Sequence, residues 1–135
     1  VNTTYFLNQV MGNVFGTKND PALPTEYYIG LATTSPTVAG ANDGEPSFSG
    51  TGYARVRLSS LSEPENGIIR NNEAINFNES ITNWGTVSHY TVYDAETGGN
   101  LLFYGQLSEA RTIEANTILT IKAGELSIQL TNMTV

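Results

Sequence analysis

Past residue 26 the chain is built from short segments in which apolar and polar side chains alternate, each closed by a turn signal. Leu126, Ile128 and Leu130 against Ser127, Gln129 and Thr131 is the clearest case. A period of two puts neighbouring side chains on opposite faces of a strand, so one face is apolar and the other wet. Strands of this kind are expected at 27–32, 53–58, 68–71, 74–77, 87–94, 101–107, 112–114, 118–122 and 126–131. In 53–58 the alternation sets Tyr53, Arg55 and Arg57 on one face and Ala54, Val56 and Leu58 on the other. Asn66-Gly67 is a favoured hairpin pair, and Ala95-Glu96-Thr97-Gly98-Gly99-Asn100 reads as the loop of a central hairpin. The fold class expected is therefore all-β: an antiparallel β-sandwich, jelly-roll or Ig-like, with one short N-terminal amphipathic helix.

That helix is expected at 5–15. Phe6, Leu7, Val10, Met11, Val14 and Phe15 recur at offsets of three and four and form one apolar stripe. Thr3 or Asn2 can cap its start and Gly16 its end. Gly12 and Asn13 weaken its interior, so it needs a surface to lie on. Packing on its own domain is the first expectation, and docking on a neighbour the alternative. Residues 17–25, with Asp20, Pro21 and Pro24, form a connector, and 35–51 a long loop rich in Gly, Pro and Ser. A loop of that length in a compact domain is usually functional or mobile. With 135 residues the chain is expected to form one domain.

Few residues suggest chemistry. There is no Cys and one histidine, His89. Its neighbour Ser88 should point to the opposite strand face, so a direct pair is not expected, and no G-x-S-x-G turn marks a nucleophile. Metal binding would fall to oxygen ligands, and Asn42-Asp43-Gly44-Glu45 lacks the spacing of a calcium loop. It reads as a solvated acidic turn. Glu63 and Glu65, a candidate carboxylate pair, flank Pro64 in a turn where exposure explains them. Gly50-Thr51-Gly52 lacks the Lys of a phosphate loop. Neither cofactor, metal nor catalytic residue is expected. The sequons at Asn2, Asn78 and Asn132 are what a chain rich in Asn and Thr produces by chance. The net charge of −7 and the lack of a basic stripe argue against nucleic acid. No apolar run reaches the ~18 residues of a membrane span, and no basic segment precedes an apolar stretch as in a Sec signal.

Aromatic residues remain. Tyr27 and Tyr28 must face opposite sides of their strand, which suggests a contact surface on one of them. Trp84 and Tyr93 are candidates for stacking on sugars.

Several segments are similar to those of a known family. They are Tyr28-Ile29-Gly30-Leu31-Ala32-Thr33-Thr34, Gly52-Tyr53-Ala54-Arg55-Val56 and Asn83-Trp84-Gly85-Thr86-Val87-Ser88-His89-Tyr90. Tyr93-Asp94-Ala95-Glu96-Thr97-Gly98-Gly99-Asn100-Leu101-Leu102-Phe103-Tyr104-Gly105 is the strongest, with Arg111-Thr112-Ile113 after it. Together they resemble short tailed-bacteriophage virion proteins commonly labelled tail-fibre or minor tail proteins, of a size also seen in capsid decoration, or cement, proteins. The resemblance covers nearly the whole chain and departs from it at 59–80. It implies a structural, non-enzymatic virion protein made in the bacterial host cytoplasm. Its partners would be the major capsid protein or tail proteins, in a homo-oligomer that analogy suggests is a trimer. It implies that Gly85, Gly98 and Gly99 are fold determinants. Phe6, Val10, Met11, Tyr27 and Tyr28 are the candidate attachment or intersubunit contacts. A carbohydrate-binding module that recognises a receptor, with Trp84 and Tyr93 as its platform, is the alternative.

Overall fold

The computed structural model describes residues 1–16 and 22–130. Asp20 and Pro21 of the expected connector, Thr131 of the expected last strand and the sequon at Asn132 lie outside them. Helix α1 (Thr4–Phe15) begins where Thr3 Oγ1 accepts a hydrogen bond from the Phe6 amide at 3.3 Å. That serves one of the amides a helix start leaves unpaired. Gly16, at φ 69°, ends the helix, and its N–H donates to Gly12 O.

Eight strands follow among the described residues: β1 (Tyr28–Ala32), β2 (Val56–Arg57), β3 (Ile68–Arg70), β4 (Ile75–Asn76), β5 (Gly85–Tyr93), β6 (Leu101–Ile113), β7 (Thr120–Ile121) and β8 (Ser127–Gln129). All pairings are antiparallel. One sheet has the order β2-β1-β5-β6, and β3–β8 and β4–β7 form separate two-stranded ladders. Ile29 lies opposite Val92, which lies opposite Phe103, while Leu31 lies opposite Tyr90. Period two therefore puts these five side chains on one sheet face. There they join Ile75, Phe77, Leu119, Ile121 and Leu126, contributed by and around the ladders, in one buried core. The chain is mostly β, with one N-terminal helix. No helix among the described residues is long and apolar enough to cross a membrane.

Backbone pairing extends beyond β6. The Thr3 amide donates to Leu102 O at 3.0 Å and the Tyr104 amide to Val1 O at 2.9 Å, so residues 1–3 run along the outer edge of β6. An edge with unpaired amides is thereby covered, and α1 is anchored where it starts.

Two irregularities separate the strands from their expected form. Between Val87 and His89 of β5 the register with β6 slips, so that Val87 faces Arg111 while His89 faces Gln106. Residues 107–110 of β6 span the interval that Ser88 alone fills in β5. The segments expected at 101–107 and 112–114 are thus one strand interrupted by a bulge. The 53–58 strand reduces to Val56–Arg57, and Tyr53, Arg55 and Arg57 share a face as expected: Arg57 lies opposite Tyr28, Tyr28 opposite Tyr93, and Arg55 rests on the Tyr93 ring, while the Tyr53 hydroxyl meets Gly30 and Thr91. That face is not wet throughout: Tyr53 and Arg55 are buried while Arg57 is exposed, because Arg55 has a half-buried acidic partner, Glu45.

Gly30 shows how tightly the wet side of β1 is covered. A Cβ added there would lie 2.7 Å from both Thr91 Oγ1 and Tyr53 Oη. Overpacking of this kind costs about 1–3 kcal/mol. Gly30→Ala is expected to lower the urea unfolding free energy by that amount, and an unchanged midpoint would contradict the close approach.

Candidate attachment surface

Helix α1 reverses the usual arrangement. Its buried residues are Gln9 and Gly12. Gln9 Nε2 donates to Ala22 O at 2.9 Å, and Gly12 has no side chain to hold the helix off its support. At about 100° per residue, Leu7, Met11 and Val14 fall roughly opposite those two. Met11 is 54% exposed, Val14 65% and Phe15 69%. Leu7 and Val10 are half-buried. The apolar stripe expected from the spacing is present, but its outer half does not pack on the domain. The inward face is occupied by a glutamine that hydrogen-bonds and a glycine that fits. No residue of Thr4–Phe15 carries a charge.

Phe6, on the flank of this stripe, is half-buried and lines an open apolar cavity of about 220 Å³ with Tyr27, Leu58, Leu61, Ile69 and Ile128. Of the candidate contacts, the structure therefore brings Phe6 and Tyr27 to one hollow, with Val10 and Met11 on the neighbouring helix surface. Tyr28 is not among them. Its hydroxyl donates to Glu26 Oε2 at 3.0 Å on the other sheet face. That bond holds the Tyr28 hydroxyl above the usual tyrosine range, whereas burial does so for Tyr27.

A second constellation organises the loops. Arg55 donates from Nε to Glu45 Oε2 at 2.8 Å and from Nη2 to Glu45 Oε1 at 2.9 Å, a bidentate pair. Its Nη1 donates to the carbonyls of Ala95 and Gly98, both at 2.8 Å. The guanidinium lies 3.5 Å from the centre of the Tyr93 ring. Tyr53 Oη donates to Glu45 Oε2 at 2.7 Å and accepts from the Leu31 amide at 3.0 Å. One cation thus ties the long loop to the β5–β6 turn. In that turn Gly98 and Gly99 take φ of 60° and 71°, and Gly85 opens β5 at φ 88°. Burial first, and then the Glu45 charge, push the Tyr53 hydroxyl far above the usual tyrosine range. Glu45 belongs to this clamp and not to a solvated turn. No local pattern marks a pair ten residues apart; the one available hint is an arginine inside an alternating segment.

The remaining candidates stand apart from any reactive centre. Ser88 Oγ and His89 Nδ1 are 2.7 Å apart, contrary to expectation, because the register slip at Ser88 breaks the alternation of side chains. Burial lowers the pKa of His89, and the Ser88 hydroxyl also lies 3.3 Å from Thr33 O. Trp84 is buried, its Nε1 donating to Thr51 O at 2.9 Å and its ring edge-on to Tyr53. Tyr93 is buried beneath Arg55. Neither ring presents a face to a sugar. Glu63 and Glu65 are exposed beside an open polar hollow shared with Arg70 and Asn72. Among the described residues no group of three His, Cys, Asp or Glu could hold a metal ion.

The sequence model of the family described as Gp80, podophage GP4 fiber I protein gp80, matches residues 2–129. No curated protein matches the chain.

Breaking a buried pair by removing one partner costs about 3–5 kcal/mol, since the other charge is left unpaired. Arg55→Met is expected to destabilise the protein by that amount in chemical denaturation, with Glu45→Gln added to it restoring part of the loss. Equal stability of Arg55→Met and the wild type would refute the clamp.

A pH dependence follows from the tyrosines. The hydroxyls of Tyr53, Tyr90 and Tyr93 are all raised in the folded state, burial being the largest cause. In the unfolded chain they ionise near pH ~10, so above that pH the unfolded state holds fewer protons than the folded one. Unfolding free energy is therefore at full strength below pH ~10 and declines as pH rises beyond it. Urea midpoints measured on both sides of that pH should fall on the alkaline side; a flat profile would contradict the burial of these hydroxyls.

Proposed function

The chain belongs to the podophage fiber I protein family, and on that premise we propose that helix α1 is the element through which it joins the fibre. Membership makes it a phage tail-fibre protein, a structural component of the virion and not an enzyme. Its partners are other tail and virion proteins. Fibre membership favours the tail over the capsid, the two placements the sequence left open. On the same proposal the β3–β8 and β4–β7 ladders form a second layer across the core from the four-stranded sheet, as in a sandwich, and the whole chain is one domain. Such a body carries the helix as a preformed handle.

The observation that supports this role is the orientation of α1, with Gln9 and Gly12 inward and Met11, Val14 and Phe15 outward. Covering a side chain of this size removes enough apolar surface to contribute about 1.5–3 kcal/mol. Three such residues, on a helix already fixed at its start, make a contact that orders little new chain on binding. The buried positions of Trp84 and Tyr93 leave the sugar-binding alternative without its stacking surface.

Met11→Glu with Val14→Glu is expected to leave the isolated protein folded, with an unchanged unfolding midpoint, because both side chains are exposed. The same pair should remove the protein from purified particles in quantitative mass spectrometry. Incorporation at the wild-type level would overturn the assignment.

A further inference from the structure

We propose that the apolar hollow beside Phe6 receives a large apolar side chain of a different virion protein, carried on a segment with a Lys or Arg close by. This contact goes beyond the role given to α1, because it is centred on the hairpin of residues 61–71.

The hollow is a gap in the wall of the core. Val92, Leu102 and Phe103, all buried, form its floor, and Leu58, Leu61, Ile69 and Ile128 stand around them. Protein interiors are filled to the density of organic crystals, so side chains that border an empty apolar space lack contacts on one side. A closed apolar cavity of about 150 Å³ holds benzene. At about 220 Å³ this hollow has room for a leucine side chain or an aromatic ring.

The other side of the same hairpin sets what must accompany that side chain. Side chains alternate along β3, so Ile69 turns to the apolar hollow while Ile68 and Arg70 line a second, polar hollow of about 580 Å³. Glu63 and Glu65 are exposed at this second hollow. Among the described residues neither carboxylate has a hydrogen bond or an ion pair. Arg70 forms no pair with them, and its Nη1 donates to Gly124 O at 3.1 Å. Two carboxylates against one guanidinium leave the hollow net negative, which favours an incoming cation and repels an acidic side chain. A second copy of this chain, with thirteen acidic against six basic residues, carries the wrong charge for it. Partners of a tail-fibre protein are other tail and virion proteins, and a basic segment with an apolar anchor on one of them fits both hollows at once.

Both walls are fixed in advance. The buried Asn71 donates from Nδ2 to Glu73 O at 2.8 Å and to Lys122 O at 3.0 Å, and its Oδ1 accepts the amides of Gly124 at 3.1 Å and Leu126 at 3.0 Å. Across the hairpin turn, the amides of Glu65 and Ile68 each donate to the other's carbonyl. Binding here orders little new chain.

Glu63→Lys with Glu65→Lys reverses the charge of the polar hollow, and Glu79→Lys with Glu114→Lys makes the same change at exposed positions elsewhere. The first pair is expected to lower the copies per purified particle, counted by quantitative mass spectrometry, at least about tenfold. The second pair should leave the count unchanged, with both proteins keeping the wild-type circular-dichroism spectrum. No loss in the first pair, or equal loss in both, would overturn the contact. Photo-reactive benzoylphenylalanine in place of the exposed Asn72 gives a second readout that needs no charge reversal. Irradiated in the particle, it is expected to bond to another virion protein within a few residues of a Lys or Arg. An adduct to a second copy of this chain, an adduct within an acidic segment, or no adduct would each sink the assignment. Met11→Glu with Val14→Glu touches neither hollow, so its result judges α1 separately.

Discussion

The Arg55–Glu45 pair is the constraint on which the arrangement of the loops depends. Removing two charges from water is expensive, and a buried pair persists only when the remaining donors and acceptors are also met. That condition holds for Arg55. Three of its nitrogens donate to Glu45, Ala95 O and Gly98 O, and its flat face rests on Tyr93. Glu45 takes a further bond from Tyr53, whose oxygen in turn accepts the Leu31 amide. A loop with few apolar residues would not stay folded by burial alone. Here its Glu45 accepts from Tyr53 and Arg55, and through those two side chains the loop is tied to a sheet amide and to the carbonyls of a neighbouring turn. By contrast, Arg57 and Glu26, 3.3 Å apart and both exposed, form the kind of surface pair that contributes little.

Directional bonds also explain why the helix can keep its apolar side outward. Thr3 Oγ1 donates to Leu101 O at 2.7 Å, the Thr3 amide to Leu102 O, and Asn2 Nδ2 to Gln129 O at 3.0 Å. These bonds fix the residues that lead into α1 against β6 and β8. Gln9 adds a bond to the chain just beyond the helix. A helix usually owes its stability in a protein to its apolar face, and α1 is held at its start and along its polar face instead. Its stripe is thereby left for another surface.

Sequence reading reached the parts of this fold that depend on local chemistry. Thr3 and Gly16 end the helix where capping rules place them, and Asn66-Gly67 turns with φ of 54° and 78°, the geometry such a pair favours. Alternation set Leu126 and Ile128 on the apolar face of their strand, and Leu126 lies in the core with Ile128 packed against it. It failed where the chain leaves regularity. A bulge at Ser88 turned two neighbouring side chains toward each other, and the extra residues in β6 looked like a strand end. It failed also for Arg55, since periodicity scores polarity and cannot see that a carboxylate ten residues away will neutralise it. The stripe on α1 was legible, but its direction was not: spacing fixes which residues share a face, while the bonds of Thr3 and Gln9 fix which face turns inward.

Burial of Arg55 has a further consequence for the surface. Arg55 and Glu45 neutralise one another inside, so the excess of thirteen acidic over six basic residues is carried by what remains, largely at the surface. Such a surface keeps the protein soluble and discourages indiscriminate contact. Specific contact must then be made where the acidic field is locally absent. In α1 that gap in the charge coincides with the largest outward apolar side chains of the helix, Met11, Val14 and Phe15. On the role proposed for α1 the two features reinforce each other: acidity elsewhere would exclude wrong docking, and the uncharged stripe would supply the attraction. A virion protein that must remain dispersed during synthesis and then join one assembly needs both, and the proposed role of α1 separates them between the body of this chain and its first helix.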